Sequence, residues 1–356
     1  NISKKSVLVN RMFGILILTT ALLSVLSVSF GSNDTANTTS ASYYLVDNFS
    51  GTTFFDNFEF QTFDDPTHGY VNFVDKSTAF NEGLAQFWGD QVYMGVDHSN
   101  VVPDSDRGRK SIRVTSNKAY NGNNLVVIDA QHMPSTAGWL PSGCSLWPAF
   151  WMVGPDWPNN GEIDIIEYVN NQWNDLTTLH TSDNCNQATE DTSSFTGSWA
   201  PAADGASPAD NCYVYAPDQW SNQGCGINGW SQPVGSSFNS QKGGVYALEW
   251  VPDNFIRAFY FPRDGIPQDL LNNAPQPDNW GTPYARFLLS GDSCSSDHFV
   301  NNQIVFDTTF CGDWAGSNFA SMCGTSTSCT DYVKYNPSDF QEAYWLLNYV
   351  KVFARS

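Results

Sequence analysis

The chain has 356 residues, a net charge of −20 and only 15% charged side chains, against an equal 15% of aromatic ones. So negative a protein repels phosphate backbones and anionic lipid headgroups, which argues against nucleic acid or a membrane surface as partners. A neutral polymer such as a polysaccharide is unaffected by that field.

The N-terminal segment has the layout of a secretory signal. Three basic residues precede an apolar run of 18 residues at 13–30, and small polar residues follow it. We therefore predict a signal peptide over residues 1–30, a Ser/Thr-rich tail over 31–42, and secretion of the protein. A retained membrane anchor is the alternative, which the Ser and Thr content of this short run disfavours.

The cysteine count agrees with an oxidising, extracellular location. The eight cysteines all follow residue 143 and include no zinc-like CxxC pair, so we predict disulfide bonds, whose connectivity the sequence leaves open. Three sequons for N-glycosylation after the apolar run, at Asn33, Asn37 and Asn48, are consistent with export.

Short apolar or alternating segments bounded by turn residues recur from residue 43 onward and predict β-strands. Helical periodicity is nearly absent, and we predict one short helix at 268–272. Residues 183–243 are rich in Ser, Asn, Gly and Pro, and their three cysteines predict an ordered loop beside a site. We expect one all-β domain over 43–356, a sandwich or barrel of antiparallel strands. The clearest strands are predicted at 111–115, 124–128, 246–250, 255–261, 303–306 and 344–353.

Three acids interrupt an apolar stretch at 161–167, which reads Gly-Glu-Ile-Asp-Ile-Ile-Glu. Glu162 and Asp164 share one face of a strand, whereas Glu167 has the wrong parity for that face. A one-residue bulge near 165–166 would return Glu167 to it. Crowded carboxyls raise one another's pKa, which provides the protonated and ionised pair that glycosidic hydrolysis needs. The alternative is a solvated or calcium-binding strand, which the flanking apolar runs disfavour.

The surroundings of this acidic segment resemble the active-site region of glycoside hydrolase family 16, in particular its fungal-type endo-1,3(4)-β-glucanases or laminarinases. The resemblance rests on the Trp-rich segment 147–151, on Trp157-Pro158 and on 161–167, and it extends over essentially all of residues 43–354. Supporting segments stand at 65–70, 132–134, 178–181, 311–316 and 344–350.

The resemblance implies a β-jelly-roll sandwich of two antiparallel sheets with a concave cleft for a glucan chain. It matches Glu162 to the nucleophile and Glu167 to the general acid/base. Asp164 would assist between them, and His180 matches a histidine on the neighbouring strand; without the motif, His180 would be a structural histidine. The six-residue form of the motif is typical of laminarinases, so the resemblance favours β-1,3-glucan as substrate.

Aromatic rings in such a cleft would stack on the apolar faces of sugars. We predict this role for Trp157 and Trp314, and more weakly for Trp151 and Trp147, which could equally belong to the core. The expected function is a secreted, monomeric, retaining endo-β-glucanase that needs no cofactor and no catalytic metal; the resemblance allows a structural calcium ion. A transglycosylase with the same glutamates and a non-catalytic β-glucan-binding protein are the alternatives.

Overall fold

The computed structural model describes residues 41–356, which lie in one compact unit. The predicted signal peptide, most of the predicted tail and the sequons at Asn33 and Asn37 lie outside the described residues. The third sequon, Asn48, is exposed on the first strand. Within residues 41–356, no helix is both long enough and apolar enough to cross a membrane.

Strands dominate the described part of the chain, and the helices are short. The strands are β1 Tyr43–Phe49, β2 Phe58–Phe60, β3 Val71–Phe73, β4 Ala85–Trp88, β5 Gln91–Met94, β6 Arg109–Ser111, β7 Arg113–Tyr120, β8 Asn124–His132, β9 Leu146–Val153, β10 Glu162–Glu167, β11 Asn174–His180, β12 Ser198–Trp199, β13 Cys225–Pro233, β14 Gly244–Val251, β15 Phe255–Pro262, β16 Ala285–Leu288, β17 Asn302–Phe310 and β18 Trp345–Arg355. The helices are α1 Lys76–Asn81, α2 Gly235–Ser240, α3 Gln268–Leu271, α4 Ser317–Cys323 and α5 Cys329–Tyr335.

Two antiparallel sheets of eight strands each form the sandwich. The first has the order β16-β15-β14-β8-β18-β5-β4, and β1 pairs with the C-terminal half of β18. The second has the order β12-β13-β11-β10-β9-β17-β7-β2. A further pair, β3 and β6, is parallel. Most neighbouring strands are distant in sequence, as in a jelly roll, and the predicted all-β class of two antiparallel sheets is confirmed.

The middle of the first sheet is buried on both faces. In β14, Tyr246, Leu248 and Trp250 point into the core between the sheets. The alternate residues Val245 and Ala247 pack in a second apolar cluster on the outer face. Because both faces are covered, β14 is apolar almost throughout and lacks the alternation of a half-exposed strand.

The second sheet points one face into the core and turns the other away from it. On the core face, Phe150 and Met152 of β9 pack with Ile163 and Ile166 of β10. Burying each of these side chains stabilises the fold by roughly 1.5–3 kcal/mol. A one-residue slip of β10 would place its acids in this core, so burial fixes the register. The outward face, called the site face below, carries Trp147, Ala149, Trp151, Glu162, Asp164, Glu167, Thr178, His180, Val305 and Asp307.

Some elements differ from the sequence-based expectation. The segment 183–243 was predicted as a loop, but it contains strand β13, whose Gly, Asn and Pro residues obscure the strand pattern. Pairing with β11 along Asn174–Leu179 supplies the order that local propensity lacks. Helices α4 and α5 were also missed, and they form by packing Phe319 and Tyr332 into a separate apolar cluster. The predicted helix at 268–272 is present as α3.

Disulfide bonds join all eight cysteines, as predicted, and none of these cysteines is free. Two bonds tie α4 and α5 to the ends of β9 and β17, and two hold the segment 183–243. That segment is therefore pinned, as its cysteines indicated. The pairs are Cys144–Cys323, Cys311–Cys329, Cys185–Cys294 and Cys212–Cys225.

Gly161, immediately before β10, is expected to tolerate no side chain. Its φ is +71°, and a Cβ atom there would lie 2.4 Å from the backbone oxygen of His298. Gly205 has a similar φ of +73° but open space around it, so it is a matched control. Gly205→Ala should cost about 1–2 kcal/mol of unfolding free energy from backbone conformation alone.

Gly161→Ala should cost roughly 1–3 kcal/mol more, because of the clash. Urea unfolding of both variants measures the difference. Equal losses would show that the chain before β10 can relax, contrary to the packing described here.

Candidate active site

The pairing of β10 with β9 shows how three acids reach one face. The register shifts by one residue between Asp164 and Ile166, so Ile165 is the extra residue of a bulge, as predicted. The acids consequently lie opposite alternate residues of β9, which all point the same way. These opposed pairs are Glu162–Val153, Asp164–Trp151 and Glu167–Ala149.

His180 lies on β11 directly opposite Glu162. Its Nε2 atom is 3.2 Å from Oδ2 of Asp164 and 3.9 Å from Oε1 of Glu162. The side chains of His180 and Asp164 are buried, whereas that of Glu162 remains 16% exposed. The structure thus brings together all four residues that the motif predicted, and it leaves Glu162 accessible from the site face.

Trp147 contacts the last acid of the motif directly. Its indole Nε1–H donates a hydrogen bond of 2.8 Å to Oε1 of Glu167. Its ring packs edge-on against Trp314, with ring centroids 5.6 Å apart. Trp147 therefore lies at the site and orients the carboxyl of Glu167. The sequence alone could not distinguish this position from one in the core.

The turn that carries Trp314 is held by residues 65–70, another of the segments that support the family resemblance. Trp314 lies in the π-helical turn Gly312–Gly316 after β17. The backbone N–H of Asp313 donates to the carbonyl of Thr67 at 2.9 Å, and Nδ1 of His68 lies 2.9 Å from Oδ2 of Asp313. Segments 65–70 and 311–316 thus meet beside Trp147 and Glu167.

Trp157 stands at the opposite end of the acidic row, and Trp151 lies opposite its middle acid, Asp164. Trp157 precedes β10 and, at 39% exposed, is the most exposed of the four predicted tryptophans. Trp151 is half-buried on the site face, beneath the guanidinium of Arg113, whose Cζ is 4.8 Å from the ring centroid. Trp157 therefore offers a free ring, whereas Trp151 belongs to the floor of the site.

A buried ion pair continues the site face across β17 and β7. Asp307 lies opposite both Ala149 of β9 and Arg113 of β7. Its Oδ2 is 3.3 Å from Nη1 of Arg113. The sequence-based prediction missed both residues. Asp307 could have been indicated as the lone charged side chain directly after the apolar run 304–306, whereas Arg113 begins a largely polar strand.

A second acid that the sequence analysis missed lies under the bulge. Asp175 of β11 points to the core side and is fully buried. Its Oδ1 accepts a 3.0 Å hydrogen bond from the backbone N–H of Glu167. Its Oδ2 lies 2.9 Å from the hydroxyl of Tyr284 and 3.1 Å from that of Thr177. Burial raises the pKa of Asp175 to about 7.

Burial raises the pKa of every carboxyl in the motif. Burial, and then repulsion by Asp164, raises the pKa of Glu162 to about 8, while His180 and Arg113 oppose the rise. The pKa of Glu167 is raised well above its ordinary value by burial and then by Asp164, and Glu162 adds to this. Arg113 thus favours the carboxylate form at Glu162 alone, whereas His180 lowers the pKa of both glutamates and repulsion by Glu162 favours a proton on Glu167.

Glu162, Asp164 and His180 also form a group that could hold a metal ion, since their ligand atoms all lie within 4.8 Å of one another. A mixed carboxylate and imidazole set suits zinc better than calcium, which prefers oxygen ligands only. A metal ion there would occupy the oxygen atoms that the predicted nucleophile needs. The group is therefore better explained by the chemistry of the acids than by a metal centre.

Comparison with known proteins identifies the family and the fold. The sequence pattern of the XgeA-like catalytic GH16 domain matches residues 58–353. The chain belongs to glycoside hydrolase family 16. An endo-1,3(4)-β-glucanase of Arthroderma benhamiae is 40% identical to it over 319 residues, which are 88% of this chain and 65% of that protein. The GH16 chain thus spans slightly less than two thirds of that relative.

Two solved GH16 structures share the fold, each at 39% identity over 88% of this chain and 100% of the other. Laminarinase 16A from Phanerochaete chrysosporium, with a TM-score of 0.77, is described with 6-O-glucosyl-laminaritriose in donor and acceptor sites. An elongating GH16 β-1,3-glucosyltransferase has a TM-score of 0.76. The family and the jelly-roll fold expected from the sequence are confirmed.

The raised pKa values predict that the GH16 protein loses stability as the pH rises. Burial raises the pKa of Asp175 and Asp307, two acids that do not take part in the proposed reaction, to about 7 from an ordinary value of 3.8. These acids therefore bind more protons in the folded state than in the unfolded state. Their contribution is complete below about pH 4 and is lost as the pH rises through about 7.

We expect thermal unfolding to show a Tm that falls by roughly 5 °C from pH 5 to pH 8. Asp175→Asn removes one of the titrating groups and should flatten the slope. A Tm that rises across this range in the wild-type protein would contradict the assignment of protons to these buried acids.

Proposed function

We propose that this GH16 protein is a retaining endo-β-glucanase that hydrolyses β-1,3-linked and mixed β-1,3/1,4-linked glucan. The observation that carries the proposal is the bulge, which sets Glu162, Asp164 and Glu167 on one face in different electrostatic surroundings. The names of similar proteins support the substrate class, since one is an endo-1,3(4)-β-glucanase and another a laminarinase described with β-glucans.

In the first step, Glu162 attacks the anomeric carbon while Glu167 gives its proton to the departing glycosidic oxygen. The glycosidic C–O bond breaks and a covalent glycosyl-enzyme ester forms on Glu162. In the second step, Glu167 takes a proton from water, which attacks the same carbon and releases Glu162. Two inversions leave the anomeric configuration retained.

The electrostatics of the site support this change of role at Glu167. Repulsion from Glu162 is one of the causes that raise the pKa of Glu167. Because esterification removes the charge of Glu162, the pKa of Glu167 falls after the first step and the residue can act as a base. Asp164 and His180, 3.2 Å apart, would hold the nucleophile in place between the steps.

The tryptophans support binding of a sugar chain along the site face. Trp157 stands beside Glu162, whose pKa its side chain lowers, and Trp314 packs on Trp147, which binds Glu167. The exposed or half-buried rings therefore bracket the acidic pair, as stacking on successive sugars requires. We further propose that the protein acts as a secreted monomer without a cofactor; the family resemblance allows a structural calcium ion but does not predict one.

Replacing either glutamate should abolish hydrolysis. We expect Glu162→Gln and Glu167→Gln to lower release of reducing ends from laminarin by at least about 10³-fold, because each removes a reacting group. Glu82→Gln, which changes an exposed glutamate paired with Lys110 outside the site face, is the control and should keep wild-type activity. Lichenan and carboxymethyl cellulose serve as comparison substrates.

Each outcome of that assay has a distinct meaning. Activity on lichenan alone would keep the mechanism and overturn the β-1,3 preference. Binding of laminarin by the wild-type protein without sugar release would contradict hydrolysis and favour a binding protein. Longer chains in place of new reducing ends would favour the transglycosylase, since one similar GH16 protein is an elongating β-1,3-glucosyltransferase.

Trp147→Phe tests the hydrogen bond to Glu167 while keeping an aromatic ring. We expect kcat to fall by about 10-fold with little change in KM, because a hydrogen bond to the reacting group is lost. The indole lowers the pKa of Glu167, so its loss should move the basic limb of the kcat/KM profile to higher pH. Trp314→Phe keeps this bond and should raise KM more than it lowers kcat; the same profile shift in both variants would contradict the assignment.

A further inference from the structure

The bulge that returns Glu167 to the site face also interrupts the ladder between β10 and β11. Backbone pairing of these strands covers only Glu162 to Asp164, opposite His180 to Thr178. Beyond Asp164, the backbone groups of β10 that face β11 lose their strand partner. Buried backbone N–H and C=O groups require hydrogen bonds, so another partner must replace it.

Side chains from the core side of β11 take the place of the missing ladder. Oγ1 of Thr177 donates to the carbonyl of Ile165, the bulged residue, at 3.2 Å. Oδ1 of Asp175 accepts from the backbone N–H of Glu167 at 3.0 Å. The two ends of the bulge are thus bridged by side chains, and the backbone of Glu167 is held by a carboxyl group.

The surroundings of Asp175 suit a neutral acid. Its hydrogen-bond partners within the described chain are the backbone N–H groups of Glu167 and Leu176 and the hydroxyls of Thr177 and Tyr284, and no cation pairs with it there. In the neutral form, one oxygen accepts from Glu167, and the other donates to the Tyr284 hydroxyl. Thr177 then keeps its proton for Ile165. All donors and acceptors are satisfied without a buried charge.

We propose that Asp175 is a positioning residue for the acid/base Glu167, whose backbone it fixes across the bulge so that the carboxyl meets the glycosidic oxygen. The proposal rests on the proposed function, because it requires Glu167 to be the proton donor. Asp175 lies on the core side of the sheet and touches no substrate. Its effect must therefore concern the proton transfer and spare the nucleophile Glu162.

Substrates that differ in their leaving group separate positioning from general damage. A 2,4-dinitrophenyl β-laminaribioside releases a stable phenolate and needs no proton from Glu167, whereas laminarin does. For Asp175→Ala, we expect kcat/KM on laminarin to fall by about 100-fold, as misplacement by about 1 Å can cost. On the dinitrophenyl substrate, kcat/KM should stay within about 3-fold of wild type.

Two further substitutions complete the series. Asp175→Asn is isosteric with the neutral acid and keeps an oxygen for the N–H of Glu167, so it should retain activity on both substrates. Asp175→Leu fills the site without an acceptor and should behave like Asp175→Ala, which keeps the test decisive if the alanine variant fails to fold. Tyr246→Phe is the matched control, since it loses only a buried 2.8 Å hydrogen bond to the carbonyl of Pro233.

Equal losses on the two substrates, or full activity of Asp175→Ala on laminarin, would overturn the positioning role. Glu167→Gln distinguishes a failure of the underlying function. If that variant also loses laminarin and dinitrophenyl activity equally, then Glu167 is not the proton donor, and both the proposed function and the role of Asp175 fail. If Glu167→Gln loses activity on laminarin far more than on the dinitrophenyl substrate, while the Asp175 variants lose both activities equally, the proposed function stands. In that case only the positioning role of Asp175 is wrong.

Discussion

The arrangement of the site depends on one extra residue in a strand. Ile165 forms a bulge in β10, and without it Glu167 would point into the core beside Ile163. The bulge is stable because Ile163 and Ile166 remain buried on either side of it, so the apolar face of the strand is preserved. The register of β10 that buries these isoleucines is therefore also the register that turns the acids to the site face. A shift of the strand would disrupt both.

Turning three carboxyls to one half-buried face creates repulsion that the rest of the site must balance. His180 and Arg113 lower the pKa of Glu162, and the indole of Trp147 lowers that of Glu167. These compensating groups come from β11, β7 and β9, on both sides of β10. The sheet thus distributes hydrogen-bond donors and charged groups unequally along the acidic row, so that identical side chains stand in different electrostatic surroundings.

The regions around the site are fixed by covalent and polar links more than by regular structure. Disulfide bonds hold the segment 183–243 and helices α4 and α5, and hydrogen bonds of Asp313 to Thr67 and His68 hold the turn of Trp314. Rings that must stack on a substrate need defined positions although they lie on turns. Such links supply that order where no strand pairing is available.

The strand pattern of the sequence determined an all-β sandwich or barrel, the acidic face and the need for a bulge at 165–166, because the period of two in a strand is a local property; the family resemblance implied the sandwich. The sequence also determined that the cysteines pair. Only the tertiary structure decided which cysteines do so, that β13 is a strand, and that Arg113, Asp307 and Asp175 surround the motif. These contacts join different strands and loops, and some of the residues are far apart in the chain. Their order comes from their partners, so it leaves no trace in local periodicity.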